Sequence, residues 1–166
     1  MKPANKPIVC YVTDRKSLTG NRNEAALTST ILQNIQVALV AGVDWVQVRE
    51  KDLQGVQLLE LGRVAVGLAA THRKKTERAP RIIINDRLDV ALAAGAHGVH
   101  LGRESAPAHE VVRWCRAGNA PNGFVIGVSC HSIEEAREAE NAKADYILFG
   151  PVFETPSKLP FGAPQG

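Results

Sequence analysis

The chain has 166 residues, of which 45% are hydrophobic and 22% charged, with a formal net charge of +3. This is the ordinary balance of a globular domain with an apolar core. The weak positive charge, with no basic block interleaved with aromatics, gives no indication of nucleic-acid binding, and no apolar run approaches the length of a membrane span. Three cysteines without a CxxC pair and the absence of an apolar segment after Met1 predict a reducing, cytoplasmic location without a signal peptide.

Short apolar runs alternate with longer amphipathic runs along the chain. The short runs are rich in Val, Ile and Leu, as in parallel strands covered on both faces. They predict six strands, Ile8–Thr13, Trp45–Arg49, Arg81–Asn85, Gly98–Leu101, Phe124–Ser129 and Tyr146–Gly150. The amphipathic runs predict five helices, Asn23–Ala41, Val56–His72, Leu88–Ala94, Ala108–Ala117 and Ile133–Ala142. Ser132 and Glu135 have the spacing of a capping box at the start of the last helix.

A weak internal repeat favours one α/β architecture over another. The segment at residues 41–46 is similar to those at 94–99 and 142–147, and each joins a helix end to the start of every second strand. A period of two βα units is typical of a (β/α)8 TIM barrel, whereas an open doubly wound sheet gives no reason for it. We therefore expect a single barrel domain over residues 1–166 that covers about six of the eight βα units and lacks the last two.

Polar side chains follow the predicted strands at their carboxyl ends, where barrels of this kind hold their active sites. Gln47, Arg49 and Lys51 share one face of the second strand, because side chains alternate along a strand. Asn85 and Asp86 follow the third strand. Arginine and lysine clamps with amide and hydroxyl donors suit a diphosphate, and a lone carboxylate suits Mg²⁺. Lys158 and neighbouring hydroxyls after the sixth strand extend this pattern.

Each of these groups also has a simpler interpretation. The alternatives are a surface ion pair for Arg49–Glu50, a helix cap for Asn85–Asp86, a hydrogen-bonded interior side chain for His100, a loop residue for His131 and a polar turn for Thr155–Lys158. The shared position at the ends of successive strands favours an anion site over these alternatives.

Five motifs carry a resemblance to a known family. They are QVREK (Gln47–Lys51), IND (Ile84–Asp86), GVHLG (Gly98–Gly102), GVSCHS (Gly127–Ser132) and ADYILFGPVFETPSK (Ala144–Lys158). Together they resemble thiamine phosphate synthase and its relative, thiazole tautomerase. In the synthase, diphosphate leaves the methylene carbon of hydroxymethylpyrimidine diphosphate and the nitrogen of thiazole phosphate attacks that carbon.

The resemblance implies a role for each matching residue. Gln47, Arg49, Lys51 and Asn85 match residues that bind the pyrimidine diphosphate, Asp86 matches an Mg²⁺ ligand, Ser129 and Lys158 match residues that touch the pyrimidine, and Thr155 and Ser157 match residues at the thiazole phosphate. We expect only these small molecules as partners, with neither nucleic acid nor membrane, and homo-oligomerisation is left open.

Two departures from the synthase pattern leave alternatives open. Ser105 stands where the synthase has a second Mg²⁺ carboxylate, which leans toward the tautomerase branch. In that branch a histidine matching His131 moves a proton while the thiazole carboxylate phosphate becomes aromatic. The glycine-rich ends of the family's seventh and eighth strands have no counterpart here, so a third interpretation is an inactive, truncated homologue that keeps the anion site.

Overall fold

The computed structural model describes residues 7–18, 23–72 and 79–153. The chain divides into two compact units, residues 1–98 and 99–166. Thr155, Ser157 and Lys158 therefore lie outside the described residues. Within the described ranges, no helix combines the length and the apolar character that a membrane crossing needs.

The first unit is a parallel sheet with a helix after each strand. In chain order its elements are β1 (Cys10–Val12), a 3-10 turn (Arg15–Ser17), α1 (Glu24–Val40), β2 (Trp45–Val48), α2 (Gly55–His72), β3 (Arg81–Asn85) and α3 (Leu88–Ala93). Strand β2 lies between β1 and β3 and pairs in parallel with both. Its residue Gln47 is in register with Val12 on one side and with Ile83 on the other. The carboxyl ends of the three strands therefore meet at one edge.

The second unit continues the same alternation. Strand β4 (Gly98–Leu101) spans the division between the units, and α4 (Ala108–Trp114), a π-helical turn (Cys115–Asn119), β5 (Val125–Cys130), α5 (Ile133–Asn141) and β6 (Tyr146–Phe149) follow. Strands β5 and β6 pair in parallel, with Gly127 in register with Tyr146 and Ser129 in register with Leu148. Gly127 and Ser129 share one face of β5 because side chains alternate along a strand.

The core of the first unit forms where β2 and β3 are covered by helices. Val46, Val48 and the run Ile82–Ile84 are fully buried. Helix α1 buries Ile31, Ile35 and Leu39, at the spacing of one helical face. This packing holds the carboxyl ends of β2 and β3 on rigid elements.

All eleven predicted elements are present, with shifted ends. β3 and β4 have the predicted bounds, and the other strands differ by one or two residues at an end. β1 is the shortest strand, because the predicted residues Ile8 and Val9 are exposed and are not part of it. The predicted helix Ala108–Ala117 is wrong in its last turn, because α4 passes into the π-helical turn, where Gly118 has a φ of 96°.

Side-chain caps fix the starts of two helices. Asn23 accepts a hydrogen bond from the amide of Ala26 at 2.9 Å, and Ser132 accepts one from the amide of Glu135 at 3.1 Å. The predicted Ser132–Glu135 capping box is confirmed on this side. The Glu135 carboxylate reaches the amide of His131, one residue before the cap, and so ties the end of β5 to α5.

Candidate active site

A chain of hydrogen bonds joins three of the predicted site residues at the ends of β2 and β3. Gln47 donates from Nε2 to Oδ1 of Asn85 at 2.7 Å, and Asn85 donates from Nδ2 to Oδ2 of Asp86 at 2.6 Å. Gln47 and Asn85 are 3% and 8% exposed, so both amides are held inside the fold. The structure thus brings Gln47, Asn85 and Asp86 together at one sheet edge, and their role in substrate binding stays a prediction.

The backbone of Asp86 adopts a conformation that a non-glycine residue rarely takes. Its φ is 62°, in the left-handed region. The helix-cap interpretation of Asn85–Asp86 is wrong, because the N-cap position of α3 is Arg87 and carries no side-chain cap. Strained backbone of this kind is concentrated at functional sites, where the surrounding structure holds it in place. The left-handed conformation therefore supports a binding role for Asp86.

The turn after β2 is fixed by the turn after β1. The amide of Arg49 donates to the Thr13 hydroxyl at 3.0 Å, and the Glu50 carboxylate accepts from the amide of Arg15 at 2.9 Å. Glu50 is only 5% exposed, so the interpretation of Arg49–Glu50 as a surface ion pair is wrong. The side chain of Arg49 is half-buried and that of Lys51 is exposed, which leaves two cations at the strand end.

The buried guanidinium of Arg15 connects the turn after β1 to the turn after β2 through ion pairs. It pairs with Glu24 at 2.6 Å and with Asp52 at 3.0 Å. Its hydrogen bond to Glu24, and to a smaller extent its hydrogen bond to Asp52, raise the pKa of Arg15. The hydrogen bond from Arg15 lowers the pKa of Asp52. Sequence reasoning missed this network, because residues 15, 24 and 52 share no spacing that would connect them.

In the second unit, polar side chains of three strands converge on His100. Nε2 of His100 lies 2.8 Å from Oγ of Ser129, and Nδ1 lies 3.1 Å from the hydroxyl of Tyr146. His100 is 2% exposed. The interior, hydrogen-bonded interpretation of His100 is confirmed, and one of its partners is a predicted site residue. Sequence reasoning missed Tyr146, because its place opposite Gly127 depends on the register of β5 and β6.

His131 lies at the end of β5 and is half-buried. Its Nδ1 lies 2.5 Å from the carbonyl oxygen of Gly150. A carbonyl oxygen only accepts, so Nδ1 carries the hydrogen and Nε2 of a neutral ring keeps its lone pair. This contact leaves Nε2 of a neutral ring available as an acceptor.

The metal-binding potential of the described residues is limited. Within residues 7–18, 23–72 and 79–153 there is no cluster of three His, Cys, Asp or Glu side chains that could hold an ion. The Ser105 hydroxyl accepts a hydrogen bond from the amide of Gly102 at 2.9 Å, within the turn that follows β4. Asp86 is the carboxylate among the predicted site residues, and a single carboxylate is compatible with Mg²⁺, which fills its other positions with water and phosphate oxygens.

Parallel strands that alternate with helices and carry amide, carboxylate and hydroxyl groups at their ends define an α/β protein of the barrel type. A family profile described as thiamine monophosphate synthase matches residues 10–166. The chain belongs to this family.

Relatives and a solved structure agree with this assignment. The chain is 44% identical to a putative thiamine-phosphate synthase of Geobacter sulfurreducens, over 93% of this chain and 64% of that protein. It is 37% identical to a thiamine-phosphate synthase of Solidesulfovibrio magneticus, over 100% of this chain and 70% of that protein. The thiamine phosphate pyrophosphorylase structure from Pyrococcus furiosus superposes with a TM-score of 0.69 at 30% identity, over 89% of this chain and 62% of that one. The predicted family and barrel class are confirmed.

The chain spans only part of the length of these relatives. The matched share of the first two curated relatives is 64% and 54%. The activity, substrates and partners of the whole protein therefore belong to the proposal that follows.

Proposed function

We propose that this chain carries the pyrimidine-diphosphate site of a thiamine phosphate synthase. The observation that supports the proposal best is the hydrogen-bonded chain from Gln47 through Asn85 to Asp86, at a strand end after which Arg49 and Lys51 follow. Family membership adds the reaction, in which hydroxymethylpyrimidine diphosphate and thiazole phosphate give thiamine phosphate and diphosphate.

The proposed reaction is a substitution at the methylene carbon of the pyrimidine. The bond from this carbon to the diphosphate oxygen breaks, and the bonding pair leaves with the diphosphate. The thiazole nitrogen then supplies the pair for the new C–N bond. Arg49 and Lys51 favour departure because their positive charges stabilise the diphosphate as its charge increases. Gln47 and Asn85, locked to each other, orient the substrate without reorganisation.

Mg²⁺ fits this site through Asp86, whose carboxylate is oriented by the amide of Asn85. When bound, the ion would neutralise charge on the diphosphate. Ser105 offers a hydroxyl where the family resemblance implies a second carboxylate, so we expect weak Mg²⁺ binding. Ser105→Asp is expected to strengthen the dependence of product formation on Mg²⁺, whereas the uncharged Ser105→Asn is not.

Product formation tests the proposal directly. The purified chain is given both substrates and Mg²⁺, and thiamine phosphate is measured by chromatography. Arg49→Ala is expected to lower the rate about a hundredfold, since it removes a charge that acts on the leaving group. Arg63→Ala, on an exposed position of α2, is the matched control and should leave the rate unchanged. Equal rates for Arg49→Ala and the wild type would contradict the proposed role.

One observation favours a second candidate, thiazole tautomerase activity. The contact between Nδ1 of His131 and the Gly150 carbonyl presents Nε2 as a base, as a proton shuttle requires. Loss of substrate proton exchange in His131→Gln, with thiamine phosphate formation retained, would support this activity in addition to the first. If neither activity is detected and diphosphate binding is retained, the result would instead support an inactive anion-binding homologue.

Mg²⁺ dependence, a cytoplasmic location and any self-association of this chain stay predictions.

A further inference from the structure

His100 connects three strands of the second unit through its two ring nitrogens. Nδ1 contacts the hydroxyl of Tyr146 on β6 at 3.1 Å, and Nε2 contacts the hydroxyl of Ser129 on β5 at 2.8 Å. The rings of His100 and Tyr146 lie 5.5 Å apart with a tilt of 32°. Because His100 is 2% exposed, bulk water does not compete for these contacts.

The chemistry of the three groups gives the network a direction. A neutral imidazole has one N–H donor and one lone-pair acceptor. A phenol is a stronger acid than a serine hydroxyl and so donates more readily to the imidazole lone pair. This difference favours donation from Tyr146 to Nδ1, with the hydrogen of the ring on Nε2 and donated to Oγ of Ser129. Ser129 accepts in this arrangement and keeps its own hydrogen for another acceptor.

A glycine makes room for the tyrosine. Gly127 is in register with Tyr146, and a Cβ at position 127 would overlap the phenol ring, with its Cζ and hydroxyl nearest. The ring of Tyr146 thus lies over Gly127 of β5, two residues before Ser129 on the same face. This placement brings the hydroxyl of Tyr146 within reach of His100, a contact that no spacing along the chain indicates.

We propose that Tyr146 and His100 are positioning residues that set the Ser129 hydroxyl as a hydrogen-bond donor to a ring nitrogen of the pyrimidine substrate. The inference rests on the proposed function, in which Ser129 touches the pyrimidine. Ring nitrogens of a pyrimidine accept hydrogen bonds, so a Ser129 hydroxyl that donated its hydrogen to His100 would face them with a lone pair. The Tyr146–His100 relay prevents that orientation.

The tautomer of His100 is the first test, and it needs no activity. In the full chain labelled with ¹⁵N-histidine, long-range ¹H–¹⁵N spectra distinguish a protonated Nε2 from a protonated Nδ1. The His100 signals are assigned by their loss in His100→Gln, and the exposed His109 serves as an internal reference for a solvent-exposed ring. We expect the Nε2–H form in the wild type and a mixture in Tyr146→Phe, which keeps the ring over Gly127. An Nδ1–H form in the wild type would overturn the relay.

The second test separates the relay from a merely structural role. The amide nitrogen of an asparagine at position 100 would lie close to the position that Nδ1 occupies in the wild type. The amide nitrogen of a glutamine would lie close to the position of Nε2, where it can donate to Ser129. We expect His100→Asn to raise the KM for the pyrimidine diphosphate about tenfold and His100→Gln to stay within about threefold of the wild type. Tyr146→Phe should raise KM in the wild-type background and have no further effect in His100→Gln.

Equal losses in His100→Gln and His100→Asn, at unchanged melting temperature, would contradict the proposal. A Tyr146→Phe effect that is as large in the His100→Gln background would also contradict it. If the wild-type chain makes no thiamine phosphate, the proposed function fails, and the tautomer measurement still decides whether the relay exists.

Discussion

Glu50 is a buried carboxyl group whose environment disfavours its charge. Burial raises its pKa above the ordinary value of 4.5, and the charges of Asp14 and Asp52 raise it further. The Thr13 hydroxyl and the amide of Arg15 favour the charged form and oppose this shift. One carboxylate oxygen, Oε1, has no hydrogen-bond partner in the part of the chain that the structure describes. An acceptor oxygen without a donor makes ionisation of Glu50 unfavourable in the folded state.

Replacement of Glu50 by glutamine is therefore expected to change how stability depends on pH. A pKa raised on folding contributes stability that is complete below 4.5 and is lost as the pH rises through the folded-state pKa. Glu50→Gln removes this loss and keeps an acceptor for the amide of Arg15. The free energy of unfolding of Glu50→Gln relative to wild type should thus increase as the pH rises from about 4 to about 8. Urea unfolding across this range measures it, and a difference independent of pH would contradict the assignment.

At the scale of elements, local chemistry was enough to predict most of the fold. The buried run Ile82–Ile84 and the Ser132 cap can be read without tertiary information, since both depend on neighbours in the chain. The end of α4 could not be predicted, because the apolar pattern continues through Cys115 while the backbone widens to a π turn. The choice between these two hydrogen-bond patterns depends on packing around Cys115, which the spacing does not contain.

Two glycines in α2 allow a matched prediction about helix packing. At Gly62 an added Cβ would lie 3.2 Å from Cβ of Ala94 and 3.3 Å from Cδ1 of Ile84, whereas nothing lies within 4 Å at Gly67. Alanine is a better helix former than glycine, so Gly67→Ala should raise the free energy of unfolding by about 0.5–1 kcal/mol.

Gly62→Ala gains the same propensity but must displace buried side chains, which costs about 1–3 kcal/mol. The two variants should therefore differ in sign or by at least about 1 kcal/mol in chemical unfolding. Equal stabilisation by both substitutions would show that α2 can move away from β3 without cost.

At the scale of the whole molecule, the site was predictable where it depends on strand order. Gln47 and Asn85 end neighbouring parallel strands, so the rule that places active sites at carboxyl ends was sufficient to bring them together. The contact of Tyr146 with His100 was not predictable, because it depends on how far a side chain reaches across a third strand. The ion pairs of Arg15 with Glu24 and Asp52 were not predictable either, because they too depend on tertiary packing.

Ligand binding should appear as stabilisation of the folded chain. A ligand that binds only the folded state at a concentration of 100 times Kd adds about 2.7 kcal/mol of stability. For a chain of this size that is a rise in melting temperature of roughly 5–10 °C. Hydroxymethylpyrimidine diphosphate with Mg²⁺ is the ligand to use, with inorganic diphosphate as a second probe that lacks the pyrimidine.

Arg49→Ala should remove most of this rise and leave the ligand-free melting temperature nearly unchanged. The reason is that the Thr13 hydroxyl binds the backbone amide of residue 49, which alanine keeps. The guanidinium takes no part in this hydrogen bond. Arg63→Ala is the matched control for loss of one surface cation and should keep the full rise. Differential scanning fluorimetry over a ligand titration measures both variants. If Arg49→Ala and Arg63→Ala respond alike to the diphosphate, net charge rather than a built anion site explains binding.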